Sequence, residues 1–223
     1  MAEKIAAIAI GKNEGERFLR CLASLAGKAE PIIYVDSGST DGSVEAARAA
    51  RAQVVELDMS TRFTAARARN AGLDRLTEIT PDWTFVQVLD GDCELQPGWI
   101  EAGLAALHAD KTLAAVCGRR REKYPDTTVW NRLIDYEWAT PIDDNAKACG
   151  GDALIRRAAL EDERYDPTMI AAPVFDRAGR AVVALTLLGL EPGMRGARIQ
   201  ELGDQVRDAG LVVTRRSGGQ PPT

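Results

Sequence analysis

The sequence predicts an α/β protein built on a mainly parallel sheet with helices on both faces, and three observations lead there. Short apolar runs recur up to about residue 119: IAAIAI, PIIYVD, AQVVELD, WTFVQVLD and LAAVCG. Between them lie ERFLRCLASLAG, SVEAARAAR, FTAARARNAGLDRL and GWIEAGLAALHADK, which carry the i, i+3, i+4 spacing of amphipathic helices. Strand and helix in steady alternation imply right-handed crossovers, which place helices on both faces of a parallel sheet.

That architecture gives the polar residues an address. In open parallel sheets ligands bind beyond the carboxyl ends of the strands. Lys12-Asn13-Glu14 follows the first apolar run, Asp36-Ser37-Gly38 the second and Asp90-Gly91-Asp92 the fourth. All three clusters are expected on one rim.

After residue 120 the pattern loosens into the charged loop RRREKYPDTT, the aromatic segment WNRLIDYEW, and ACGGDALIRRAAL, read as a strand end and Gly-Gly turn leading into a helix. Beyond about residue 171 the composition shifts. All Lys and Trp lie earlier, and residues 172–223 net +2 in a chain whose formal charge is -5. PVFDRAGRAVVALTLLG reads as a hairpin about R-A-G-R, RIQELGDQVRDAGLVV as an amphipathic helix, and SGGQPPT as a disordered tail. The expected organisation is a domain over 1–171, a hairpin-helix segment over 172–216 and a tail over 217–223.

A net charge of -5 argues against a partner held through its phosphate backbone, so nucleic acid is not expected. Cys21, Cys93, Cys117 and Cys149 form no C-x-x-C pair, which points away from a zinc site or a disulfide framework and toward a cytoplasmic setting. No apolar stretch reaches the roughly 20 residues of a membrane span.

Several clusters admit a structural and a chemical reading. In Asp36-Ser-Gly-Ser-Thr-Asp41, Thr40 or Asp41 caps the following helix, or Asp36 accepts from a base or ribose while the loop lines a pocket. Asp90 and Asp92 are either a solvated turn or a D-x-D pair holding a hard divalent cation, Mg²⁺ or Mn²⁺, with a nucleotide diphosphate completing the coordination. Two carboxylates this close repel unless something positive compensates. Arg69 suits a phosphate or Asp90, while Arg67 is as readily a solvated helix residue. Gly150-Gly151-Asp152 could aim helix-terminal amides at an acceptor. Trp130, Tyr136 and Trp138 at helical spacing fit a core better than a sugar platform. His108 reads as a surface residue at a helix end.

IAAIAIGKNE, YVDSGSTDGS, AARARNAGL, VLDGDCEL and ACGGDALIRRAAL, in this order, resemble a family 2 glycosyltransferase with the GT-A fold over residues 4–171. The resemblance implies an inverting transfer from a nucleotide diphosphate sugar to the hydroxyl of a saccharide, lipid-linked or small-molecule acceptor. It places Asn13, Glu14, Asp36, Ser37, Asp41, Arg69 and Asp90 at the nucleotide, and a divalent cation on Asp90 and Asp92. In the family an acidic segment after the YDPTMIA position supplies the base; here Ala171-Ala172-Pro173-Val174-Phe175 follows, with no carboxylate before Asp176. Asp152 and Asp166 are the candidates to replace it. Two alternatives accompany the enzyme: a non-catalytic nucleotide-sugar sensor, and a regulatory or interaction protein that dimerises through residues 172–223. The stretch from IAAPVFD to the last helix is similar to the C-terminal end of an effector-binding domain of the IclR type of transcription factor, which implies a fusion.

Overall fold

The computed structural model describes residues 3–61, 63–139, 152–160, 165, 169–175, 177, 181–188, 197–216 and 218–221. The chain divides into two compact units, Met1–Tyr165 and Asp166–Thr223.

In the first unit β1 (Ile5–Gly11), α1 (Glu16–Leu25), β2 (Ile32–Asp36), α2 (Ser43–Ala49), β3 (Gln53–Glu56), α3 (Ala65–Ile79), β4 (Phe85–Asp90), α4 (Trp99–Ala109), β5 (Ala115–Val116), α5 (Val129–Glu137) and β6 (Asp152–Arg156) follow one another. The six strands form one sheet in the order β3-β2-β1-β4-β6-β5. β1 to β4 run parallel, and β6 is antiparallel to both of its neighbours.

Strands buried on both faces read as unbroken apolar runs, because alternate side chains enter two different cores. Ala7 and Ala9 of β1 and Phe85 and Leu89 of β4 pack with Phe18 and Leu25 of α1, Ala47 of α2 and Ile100 and Leu107 of α4. Ile8, Val86 and Val88 turn the other way, onto Ala68, Leu73 and Leu76 of α3. Thr64 starts α3 by accepting the Arg67 amide on its hydroxyl at 3.0 Å. Gly72 lets α3 lie close to the sheet: a Cβ there would sit 2.6 Å from Cγ2 of Ile8.

The structure departs from expectation at four places. ACGGDALIRRAAL does not lead into a helix. Its Ala153, Leu154 and Ile155 are buried on alternate faces, so they make β6, followed only by a 3-10 turn at Arg157–Ala159. Gly150 and Gly151 lie outside the described residues. The fifth apolar run yields just Ala115–Val116. The division of the chain precedes residue 171, because β7 (Met169–Phe175) already pairs with β8 (Ala181–Leu188), Met169 opposite Leu188.

The fourth departure concerns the tail. α6 (Ala197–Arg216) lies against the β7-β8 hairpin and ends in a left-handed glycine, Gly218 at φ 76°. The Gly218 amide donates to the Arg215 carbonyl and the Gly219 amide to that of Thr214, the paired bonds of a Schellman stop. Gln220 Nε2 donates to the Arg177 carbonyl at 2.9 Å. Residues 218–221 are therefore a helix terminator rather than a free tail. Among the described residues no helix is long and apolar enough to cross a membrane.

Gly72→Ala is expected to destabilise the fold in urea denaturation by about 1–3 kcal/mol from overpacking. The gain in helix propensity, about 1 kcal/mol at most, is too small to reverse the sign.

Candidate active site

The strand order sets the location. From β1 the chain steps outward through β2 and β3, then returns to place β4 on the other side of β1. The carboxyl ends of β1 and β4 thus bound the switch point of the sheet, where loops diverge and leave a crevice. Register aligns the carboxylates along it: Asp36 opposite Gly11, Asp90 opposite Ile10, and Asp152 opposite Leu89. Asp36 and Asp90, two strands apart, are separated by about 10 Å at their Cα atoms.

On one side of the crevice two loops are stapled together. Asn13, left-handed at φ 54°, accepts the Thr40 amide on its side-chain oxygen at 2.7 Å, and its own amide donates to Ser39 Oγ at 3.0 Å. Asn tolerates this conformation better than most residues. Asp41 accepts the Gly15 amide on one carboxylate oxygen and the Ser43 amide and hydroxyl on the other. It therefore acts on the first turn of α2 and on the neighbouring loop at once. Asp36 is 3% exposed and accepts from the Gly38 and Ser39 amides and from the Tyr34 hydroxyl. Ser37 Oγ beside it is buried with no hydrogen-bond partner among the described residues, leaving capacity for a ligand group.

The centre of the crevice is acidic. Arg69 Nη2 meets Asp90 Oδ1 at 2.8 Å, and Arg17 Nη2 meets Glu14 Oε2 at 2.6 Å. No cation is paired with the exposed Asp92 among the described residues. Burial pushes Asp90, Glu14 and Asp152 above the usual carboxylate range. Arg69 opposes the shift at Asp90, Arg17 at Glu14 and Gln87 at Asp152. Gly91 is required by close approach: its amide donates to the Ile10 carbonyl at 2.8 Å, and a Cβ would lie 3.1 Å from that oxygen.

No group of three His, Cys, Asp or Glu side chains among the described residues could hold a metal by itself. A hard cation nevertheless suits the donor set. Asp90 and Asp92 offer carboxylate oxygen on one tight turn, Arg69 engages one Asp90 oxygen, and desolvated carboxyl groups gain from a dication. Sulfur does not compete: burial pushes the Cys93 thiol up to about 12 and raises Cys21 as well.

Several residues of the crevice carry no motif. Tyr165 lies under the Arg69 guanidinium, 5.6 Å away, and its backbone is clamped at both N-H and C=O by Asn70. Gln87 and Trp99 reach Asp152 through hydrogen bonds. Arg120 interacts electrostatically with Asp90 and Asp152 and stacks on Trp138. The helical pattern around Asn70 is the one local signal of an inward-facing residue here.

Other residues singled out by the sequence fall away from the crevice's chemistry. Arg67 bonds the carbonyls of Thr61 and Asp58. His108 pairs with Glu3 at 3.1 Å and meets Phe85 edge-on. Trp130 and Tyr136 are not core residues, being 70% and 80% exposed on a helix with no buried side chain. Asp166 lies outside the described residues.

Asp36→Asn replaces a three-bond acceptor with an amide that must turn its NH₂ toward donors. A loss of about 1–3 kcal/mol in urea denaturation is expected, with loosening of the 37–41 loop measurable by hydrogen exchange.

Comparison with known proteins bears on the fold and the family. A TPR repeat-containing protein of Synechococcus elongatus is 35% identical over 86 residues, which are 39% of this chain and 20% of that protein. A crystal structure of a mycobacterial protein superposes with a TM-score of 0.54 at 21% identity, covering 74% of this chain and 57% of its own. Glucosyl-3-phosphoglycerate synthase of Mycobacterium tuberculosis, crystallised with Mn²⁺, UDP-glucose and phosphoglyceric acid, gives 0.52 at 17% identity, covering 98% and 81%. The chain thus spans a fifth of the curated relative and little more than half of the first structure, and at these identities the structures share the fold. The model of glycosyl transferase family 2 matches residues 7–164, most of the chain: with the GT-A arrangement of its sheet, the chain belongs to glycosyl transferase family 2.

Proposed function

We propose that the chain transfers a sugar from a nucleotide diphosphate donor to an acceptor hydroxyl, with inversion and with a divalent cation. The observation that carries this reading is the row of Asp36, Asp90 and Asp152 across the switch point, with Asp92 lacking a cationic partner among the described residues. The stapled loops at Asn13 and Asp41 preorganise the nucleotide side, and Ser37 and Asp36 line it. Asp90 and Asp92 would hold Mg²⁺ or Mn²⁺, which when bound stabilises negative charge on the leaving diphosphate.

In the transfer, the acceptor oxygen forms its bond to the anomeric carbon as the bond to the diphosphate breaks. Arg69, which holds Asp90, would face that diphosphate with its remaining N-H groups. The acceptor proton passes to a carboxylate, and we assign this role to Asp152. Its raised pKa makes it a better base than an ordinary aspartate while leaving it ionised above its titration range. Asp166 is the second candidate.

One observation favours a second reading, a nucleotide-sugar-binding protein in which transfer is slow or absent. Ala171 to Phe175, where the family's acidic segment is expected, lie in β7 paired with β8 and contain no carboxylate.

Calorimetric titration with UDP and GDP tests the donor side. Binding of one of them is expected with Mn²⁺, at least about tenfold weaker without it and in Asp92→Ala, as a lost charge-assisted contact of about 1.5–3 kcal/mol requires. Affinity equal in all three would refute cation dependence. For transfer, Asp152→Asn is expected to keep nucleotide binding and to lose roughly 10²- to 10⁴-fold in rate, the contribution of a general base. Unchanged turnover would remove Asp152 from the mechanism.

Protons compete with the cation for Asp90. Because its pKa is raised, protonation begins at higher pH than for an ordinary aspartate. The Mn²⁺-dependent part of nucleotide affinity is therefore expected to weaken on acidification before the usual carboxylate range is reached, and a pH-independent increment would contradict the placement.

A further inference from the structure

Gln87 is an anomaly in the core. It stands in the middle of β4, fully buried between Val86 and Val88 along a strand that is otherwise apolar until Asp90. A buried amide is costly unless each of its groups is bonded, and here each is. Its Oε1 accepts the indole N-H of Trp99 at 2.7 Å. Its Nε2 donates to the Val88 carbonyl at 3.0 Å and to Asp152 Oδ1 at 2.6 Å. Trp99, Gln87 and Asp152 form a chain on the α4 side of the sheet, from the first residue of that helix to the first residue of β6.

The direction of this chain is fixed by chemistry. An indole N-H only donates, so the Gln87 oxygen must face it. The Gln87 NH₂ must then face Asp152, and Oδ1 of Asp152 is permanently an acceptor. A reversed amide would set two donors against each other and a carbonyl against a carboxylate. The remaining carboxyl oxygen, Oδ2, is the one toward Gly118, where a Cβ would come within 3.4 Å of it. Gly118 also passes close to the Trp99 ring, so a single residue without a side chain accommodates both groups.

We propose that Gln87 and Trp99 are positioning residues: the donor-only indole orients the amide, and the amide holds Asp152 so that Oδ2 alone exchanges a proton with the acceptor. This rests on the assignment of Asp152 as base. Among the described residues, the other groups facing Asp152 are Arg120 from the segment after β5, Asp90 at the end of β4 and the Cys93 thiol of the following turn. None of them is hydrogen-bonded to Oδ1, so among the described residues the Gln87 N-H is the contact that distinguishes the two oxygens.

The test compares Gln87→Met, which keeps the volume and removes the donor, with Trp99→Phe, which keeps the ring and frees the amide to turn. In both, kcat for sugar transfer is expected to fall roughly tenfold, the usual effect of losing an orienting partner, with KM for the donor unchanged. The acidic limb of the rate profile should move to higher pH, because the ionised form of Asp152 has lost its donor. The Asp152 carboxyl carbon, labelled with ¹³C and identified by its absence in Asp152→Asn, should titrate higher in both variants whether or not transfer is measurable. If the wild-type protein shows no transfer, a titration that moves in the variants upholds the positioning role and defeats the transfer reading. Lower melting temperatures with unmoved titration and pH profile would make the pair structural only and overturn the proposal.

Discussion

Glu14, Asp90, Asp92 and Asp152 carry their carboxyl groups to the end of β4, where burial raises the cost of ionising three of them. Arg17 and Arg69 each take one oxygen, and Arg120 acts from farther away. Repulsion among like charges in a desolvated crevice would favour a more open end of the sheet, yet the register of β1, β2 and β4 brings the row together. That concentration of negative charge is the constraint around which the rest of the first unit is arranged.

The fold meets it with rigid surroundings. Apolar residues on both faces of β1 and β4 hold the strand ends in place, and α3 is drawn close enough at Gly72 to deliver Arg69 to Asp90. Asn70, one residue along the same helix, fixes Tyr165 at the point where the first unit ends. On the opposite side the loops after β1 and β2 hold one another through Asn13 and Asp41, so the side proposed for the nucleotide has its shape from the chain's own hydrogen bonds. Preorganised polar groups of this kind stabilise developing charge without having to reorganise during reaction.

Much of this is legible in the chain. The apolar runs of buried strands and the period of the helices locate the sheet, and their alternation makes it mainly parallel. The D-x-D turn and the Asp36 loop are legible because local spacing alone brings their residues together. Gln87, Trp99 and Tyr165 are not, since the hydrogen bonds that tie them into the crevice span 12 to 95 residues and a glutamine inside an apolar run carries no local signature. β6 is misplaced by a sequence reading because the short apolar run after Gly150-Gly151 suits helix and strand equally, and only burial on both faces decides between them. Trp130 and Tyr136 mislead for the converse reason: helical spacing shows which residues share a face, not whether anything covers it.

The most direct test is a crystal grown with Mn²⁺ and the nucleoside diphosphate that binds in solution, with anomalous differences collected at the manganese edge. A manganese peak bounded by the carboxylates of Asp90 and Asp92, with the diphosphate reaching toward Arg69, is the expected result. Nucleotide bound beside Asp36 with no manganese near either aspartate, or manganese held elsewhere on the chain, would contradict the assignment of this acidic row as a cation site.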